Sequence, residues 1–505
     1  MRRITEKLLI GIVFLLSLSL AFLSLASLSE LEFTGDAKMF IGSASQATLS
    51  NLPFPMNVDY GWELKPVGNR LVIFAFYTIG NIFSNQDPAI KLLGALFVVI
   101  VSIFFIRSIT YNCEIFFEED WQRDVAIYIT IFALLSLNNF CLFQAEWFAV
   151  IGSLILLSML LSNSRWTHFL AGLIAIGIIS LKGSTIFLIP AIFAAYILLD
   201  IKYEKEFFCK IERFAFGIGT GIGISIVLCY TVFKNAIPDM LLAVQVAWNA
   251  RPTHIDLPDS PAYLLHSMVP SALTIPMLLP GIITLVVICE IVLLPLIIRN
   301  GWKVKKTVIA LIIMWVVPLI AIMIQGEFFA YHYVMLLFPA IVTLILSMGV
   351  LSIEKQLPLL IISLTIGGLI WFGFCSNFSE SYMQQETFWK SLKTENTRID
   401  AKFHISSEPE VLFLDSGDAP YYFRAKSACR YSSPIVIQRN MTTNPVFQEQ
   451  INCISNYKGK YVITEWSWLN NEMIKTRIEN NYFLVDVNPV WGIYERKWGF
   501  YDERL

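Results

Sequence analysis

Apolar runs of roughly 18 residues or more recur along this chain between short polar hinges, a pattern that predicts an α-helical polytopic membrane protein. Hydropathy and length place about eleven transmembrane helices. They are expected at Leu8–Leu28, Ala89–Ile106, Val125–Phe143, Trp147–Leu161, Trp166–Leu181, Ile186–Leu199, Phe214–Phe233, Ala272–Ile298, Val308–Ile324, Tyr333–Leu351 and Leu357–Phe374. The run Leu71–Phe83 is short and follows a polar stretch, so it is expected to lie along the interface rather than cross. The opening MRRITEK resembles a secretory signal. Its apolar core, Leu8–Leu28, exceeds the roughly 7–15 residues of a signal peptide and reads as an uncleaved first span.

The pattern changes after Phe374. Residues 376–505 are polar and hold short β-type runs at Val411–Leu414, Ile435–Ile437, Tyr461–Thr464, Phe483–Val487 and Gly492–Tyr494. Between these lie helix-like segments around Ala419–Lys426, Val446–Asn456 and Leu469–Glu479, which together predict a small C-terminal α/β domain. The expected organisation is a membrane domain over 1–375, whose first outer loop with interfacial helices covers 30–88, followed by the α/β domain over 376–505.

Composition agrees with the pattern. Hydrophobic residues make up 56% of the chain and charged residues 15%, against about 45–50% and a quarter in soluble domains. The net charge of −2 says little about partners, because charge is segregated by membrane side. No basic stripe with interleaved aromatics points to nucleic acid. Cations gather in alternate loops: Arg2, Arg3 and Lys7; Arg107 and Arg123; Arg165; Lys202, Lys205, Lys210 and Arg213; Arg299, Lys303, Lys305 and Lys306; Lys355. The positive-inside rule then sets the N-terminus in the cytoplasm and the C-terminal domain outside the cell membrane. Of the eight cysteines most fall in spans, while Cys429 and Cys453 lie in the outer domain, where an oxidising compartment would allow them to pair.

This threading collects reactive side chains on the outer side. The stretch Glu30–Arg70 carries Asp36 and then Asp59, Tyr60, Trp62, Glu63, Lys65 and Arg70, so it is read as one wall of an active site. Asp36 suits either a helix N-cap or a general base at the membrane boundary. Glu146, in a tight apolar hairpin, needs a partner or a wet cavity. Lys182, followed by Gly183, Ser184 and Thr185, either snorkels or meets a phosphate aided by backbone N–H groups at a helix start. Arg251 and His254 occupy a Pro-rich loop that is either solvated or covers a cleft. His332, with Tyr333 beside it, sits among interfacial aromatics and is able to hydrogen-bond a phosphate or leaving group. Glu290, within a span, has no assigned role. No Walker loop, GxGxxG helix start, HExxH or CxxC pattern is present.

An acid after the first span, a long first outer loop ending in Trp62-x-x-Lys65-Pro66, a second acid between the third and fourth spans, and an aromatic–His–Tyr at the start of a late span resemble the GT-C glycosyltransferase superfamily. The similarity is greatest to the branch of protein O-mannosyltransferases and the lipid A aminoarabinose transferase. The stretch VLFLDSGDAPYYFRAKSACRYSSP is similar to tail segments of that branch. The chain departs from the O-mannosyltransferases in having Asp36-Ala37 for Asp-Glu and Lys65-Pro66-Val67 for Lys-Pro-Pro, and it lacks the Trp-Trp-Asp motif of oligosaccharyltransferases.

The resemblance implies transfer of a monosaccharide from a polyprenyl-phosphate donor to an extracytoplasmic glycan, lipid or protein, with Asp36 as base. Lys182, Arg251, His332 and Tyr333 would meet the donor phosphate. Tyr60, Trp62, Glu63, Lys65, Arg70 and His254 would line the substrate site. Glu146, the second catalytic acid, would orient Asp36's partner or hold a divalent cation such as Mg or Mn, which the sequence does not require. Two other classes stand beside this one. A transporter or flippase of lipid-linked sugar would show paired repeats around a midplane site, and no internal repeat is seen. A non-catalytic assembly subunit would hold Asp36 and Glu146 more than roughly 10 Å apart, too far for work at one reacting centre.

Overall fold

The computed structural model describes residues 37–38, 41–42, 44, 67–83, 86–112, 120–135, 143–162, 164–200, 210–233, 304–325, 330–350, 388, 390–414, 419–429 and 445–497. The chain divides into two compact units. One takes in Met1–Leu31, Ile79–Cys229 and Pro252–Ser381; the other takes in Glu32–Thr78, Tyr230–Arg251 and Tyr382–Leu505.

In the first unit, helices form where the apolar runs lie, with ends set by local chemistry. Gln86–Asn112 is longer than hydropathy predicts, at 27 residues, and takes Arg107 into the helix in place of the expected inner loop. Its Leu92, Leu96, Ile100 and Phe104, spaced four apart, are exposed, while Ala95, Val98, Val101 and Phe105 are buried. An exposed apolar stripe opposite a packed one is what a lipid-facing helix requires. Lys210–Phe233 is nearly all apolar at its surface. Among the described residues these two are long and apolar enough to cross a membrane, and they stand beside shorter apolar helices.

Three predicted spans are reshaped at their ends. The span expected to reach Phe143 is helical over Asp120–Leu135, and Phe143 itself adopts a left-handed turn with φ 60°. The segment after Lys182 begins as a 3-10 turn, Gly183–Phe187, before the helix Leu188–Asp200. The span expected from Tyr333 likewise opens with a 3-10 turn, Ala330–Leu336, ahead of the helix Leu337–Val350. Pro318 sits inside Val304–Gln325, which membrane helices tolerate because neighbours re-satisfy the freed carbonyl.

Helix Arg165–Leu181 meets Lys210–Phe233 through glycines. A Cβ at Gly219 would run into the Phe169 carbonyl oxygen, and one at Gly172 into that of Phe216. Small residues let the two backbones touch where no hydrophobic effect draws helices together.

The second unit holds a four-stranded sheet in the order β1-β2-β4-β3, with β1 Leu412–Leu414, β2 Tyr461–Glu465, β3 Tyr482–Val487 and β4 Trp491–Arg496. Strands β1 and β2 run parallel, with Phe413 opposite Ile463, and the chain between them carries helices Ala419–Phe423 and Pro445–Asn456. The other pairs are antiparallel. Asn488 makes the β3–β4 turn by accepting from the N–H groups of Val490 and Trp491 at 2.9 and 2.7 Å. Asn471 caps Glu472–Asn481 in the same manner.

A helix over 390–403, not expected from the sequence, sends Leu392 and Ile399 into the core with Phe413, Ile463, Trp491 and Ile493. Its Arg398 and Lys402 pair with Asp486 on β3, and the Arg398 hydrogen bond above all holds that carboxyl down to about 2. Cys429 and Cys453 form a disulfide, with Cα atoms 5.9 Å apart. The expected run Ile435–Ile437 lies outside the described residues.

Candidate active site

The helix Ala145–Leu160 begins after an extended Gln144, and Glu146 falls in its first turn, where the helix dipole favours an acid. The turn ahead of it is held by aromatics. The Phe143 ring stands 5.2 Å from Trp147 and 6.0 Å from Phe148. Trp147 Nε1 donates to the Leu134 carbonyl at 3.0 Å. A Cβ at Gly94 would lie 2.5 Å from Phe143 Cζ, so this ring occupies space that only glycine leaves. A left-handed aromatic residue costs of order 1–3 kcal/mol and persists only when its surroundings over-determine it.

Lys182 ends the helix Arg165–Leu181 in extended conformation, φ −162° and ψ 141°. Thr185 secures the break, its Oγ1 donating to the carbonyls of Ile178 and Lys182 at 2.6 Å. This aims the lysine at the acid: Nζ donates to Glu146 Oε1 at 2.5 Å. His332, on the Ala330–Leu336 turn, places Nε2 3.9 Å from the same oxygen, inside ionic reach but beyond a hydrogen bond. Helix Ala145–Leu160 packs against both Arg165–Leu181 and Ala330–Leu336, and Val304–Gln325 packs against both 3-10 turns.

The cluster is dry. Glu146 is 0% exposed, His332 2% and the Lys182 side chain 17%. Glu146 Oε2 and Tyr333 Oη are both buried with no hydrogen-bond partner among the described residues. Removing an acid and a lysine from water costs as much as their attraction returns, or more. Buried pairs of this kind in membrane helices mark function more often than stability.

The three residues assembled here come from sequence positions as far apart as 146 and 332. Of the others expected at the site, Asp36, Tyr60, Trp62, Glu63, Lys65, Arg251 and His254 lie outside the described residues, as does Glu290. Arg70 falls in the helix Val67–Gly80, and its side chain is outside them too. Among the described residues no group of three or more His, Cys, Asp or Glu gathers as metal ligands would. On Glu146 the ammonium of Lys182 takes Oε1, while Oε2 is left without a hydrogen-bond partner among the described residues.

Two features escaped the sequence. The first is the Phe143 turn, whose only signal was the polar Asn138-Asn139 pair within an otherwise apolar run. The second is Lys38, 1% exposed in the second unit, whose Nζ donates to Tyr422 Oη at 2.5 Å. A lone lysine among apolar neighbours in Ala37–Ile41 was its signal.

No family model and no curated protein sequence matches the chain. Its fold does have solved counterparts. Crystal structures of ArnT from Cupriavidus metallidurans, apo and bound to undecaprenyl phosphate, align with TM-scores of 0.54 and 0.55 at 11% identity. They cover 97% and 96% of this chain and 98% and 97% of theirs. An oligosaccharyltransferase from Archaeoglobus fulgidus aligns at a TM-score of 0.41 and 12% identity over 95% of this chain and 74% of its own, too distant to carry an argument. The fold is that of ArnT.

Proposed function

We propose that this chain, built on the fold of ArnT, is a glycosyltransferase that moves a monosaccharide from a polyprenyl-phosphate donor to an acceptor outside the cytoplasm. The observation that carries the reading is the buried meeting of Glu146, Lys182 and His332 within such a fold. A polyprenyl donor is confined to the bilayer with its phosphate at headgroup depth, so the enzyme must bring cations to that depth. ArnT has been crystallised with undecaprenyl phosphate, a lipid of this class.

In the proposed reaction Asp36 takes the proton from an acceptor hydroxyl as its oxygen attacks the anomeric carbon. The bond from that carbon to the phosphate oxygen breaks, and the polyprenyl phosphate leaves with the electron pair. Lys182, His332 and Arg251 meet the charge that grows on the phosphate, with the Tyr333 hydroxyl as a further donor. Glu146 orients Lys182 and balances its charge before the donor arrives. Tyr60, Trp62, Glu63, Lys65, Arg70 and His254 form the sugar and acceptor wall. The active site and the α/β domain face away from the cytosol, with about eleven spans over 1–375 and the domain over 376–505. The Cys429–Cys453 disulfide supports that sidedness, since such bonds persist in oxidising compartments.

The test is turnover by purified protein against a panel of polyprenyl-phosphate sugars, with donor binding measured separately. Asp36→Asn is expected to lose transfer and keep binding. Lys182→Ala is expected to weaken binding of undecaprenyl phosphate at least tenfold, the equivalent of about 1.4 kcal/mol. Full transfer by Asp36→Asn would end the base assignment. A protein that moves labelled lipid-linked sugar across vesicles without transferring it would be a flippase instead.

A further inference from the structure

Lysine is almost never fully buried unless something specific holds it, and Lys38 is 1% exposed. Its ammonium lies 4.8 Å from the centre of the Tyr422 ring and 5.9 Å from that of Tyr421, besides donating to Tyr422 Oη. The aromatic pair is itself braced. Tyr422 packs 5.6 Å from Trp491, a fully buried residue of β4 and part of the sheet core. Arg424 ends the short helix Ala419–Phe423 in the left-handed region, φ 55°, with its N–H on the Pro420 carbonyl. That turn lays its guanidinium 4.9 Å over the Tyr421 ring. Contact continues one turn on, where a Cβ at Gly42 would stand 2.9 Å from the Tyr421 backbone nitrogen, so only glycine permits this approach.

We propose that this aromatic clamp, closed by Tyr421 and Tyr422 on Lys38, holds the acid-bearing first loop in catalytic register, making Lys38 and Tyr422 positioning residues for Asp36. The inference rests on the assignment of Asp36 as base. Asp36 precedes Lys38 by two residues, so covalent geometry limits their Cα separation to about 7 Å. Whatever fixes the lysine limits where the carboxylate can go. Cation–π attraction and a charge-assisted hydrogen bond act together on one ammonium, which gives the clamp direction as well as strength. The C-terminal domain thereby acquires a role in the chemistry, as the rigid support for a loop whose acid must reach an acceptor hydroxyl to within a fraction of an ångström.

The test compares Lys38→Met, Tyr422→Leu and the milder Tyr422→Phe in the full-length protein, reading kcat, KM for the polyprenyl-phosphate sugar, and amide hydrogen exchange. Lys38→Met and Tyr422→Leu are expected to lower kcat about 10²-fold, the cost of misplacing a catalytic group by about 1 Å. KM should stay within about twofold, because the lysine is not assigned to the donor. Exchange should quicken over 37–44 and stay unchanged over 461–465, and Tyr422→Phe, which keeps the ring and loses the hydroxyl, should fall between. Unchanged exchange over 37–44 would show that nothing is clamped. Faster exchange with full kcat would show that the chemistry ignores the clamp. Asp36→Asn run alongside separates the two ideas. If it is inactive while Lys38→Met is fully active, the clamp alone is lost; if it turns over normally, the base falls and the clamp has nothing to position.

Discussion

At the scale of residues, the buried pair Glu146–Lys182 is costly to keep, and its cost is measurable. Removing one partner of a buried ion pair costs about 3–5 kcal/mol, while replacing both with apolar groups is often neutral or stabilising. Lys182→Met is therefore expected to lower unfolding stability toward the bottom of that range, since the lysine retains some exposure. Glu146→Leu/Lys182→Met should recover most of the loss and yet remain inactive. Thermal unfolding in detergent, combined with transfer assays, checks both. A loss in the double variant equal to the sum of the losses in Glu146→Leu and Lys182→Met alone would mean that the two residues are not coupled.

Among elements, glycine position decides how helices meet. Gly219 and Gly217 lie on one helix two residues apart, and their surroundings are opposite. A side chain at Gly219 runs into the Phe169 backbone, whereas nothing lies within 4 Å of one at Gly217. Gly219→Val is expected to destabilise by about 1–3 kcal/mol or more, because backbone cannot move aside as a side-chain tip can. Gly217→Ala should stabilise by up to about 1 kcal/mol through helix propensity. Unfolding midpoints of the two variants, compared in the same detergent, decide between this packing and a looser one. The same logic explains the reshaped helix ends. Hydropathy located Arg165–Leu181 almost to the residue, since its expected span was Trp166–Leu181. It missed the Phe143 turn and the 3-10 starts at Gly183 and Ala330, because those backbones are held by Trp147, Thr185 and neighbouring helices and not by local composition.

At the scale of the whole molecule, the disulfide and the sidedness are tested together. Cys429 and Cys453 close a loop with a sequence separation of 24, for which the chain-entropy account gives about 3 kcal/mol. Cys429→Ser/Cys453→Ser, or reduction of the native protein, should destabilise the sheet domain by about that amount without altering the membrane helices. Circular dichroism and differential scanning of reduced and oxidised protein read this directly. The exposed Thr476, replaced by cysteine in the disulfide-intact protein, should be labelled in whole cells by a membrane-impermeant maleimide. Labelling only after lysis would reverse the topology and remove the donor-facing site from its proposed side.

The sequence by itself determined a membrane protein of many helices with a polar α/β tail, because lipid imposes long apolar runs and strands impose a period of two, and both are written locally. It also held the motifs by which the chain resembles a glycosyltransferase superfamily. Only the tertiary structure decided that Lys182 and His332 converge on a single oxygen of Glu146, and that Lys38 is held by Tyr422 of the distant tail. Such meetings depend on helix crossing, on glycines where backbones touch and on turns held open by aromatic rings. Each is a property of pairs of segments, and none can be read from either segment alone.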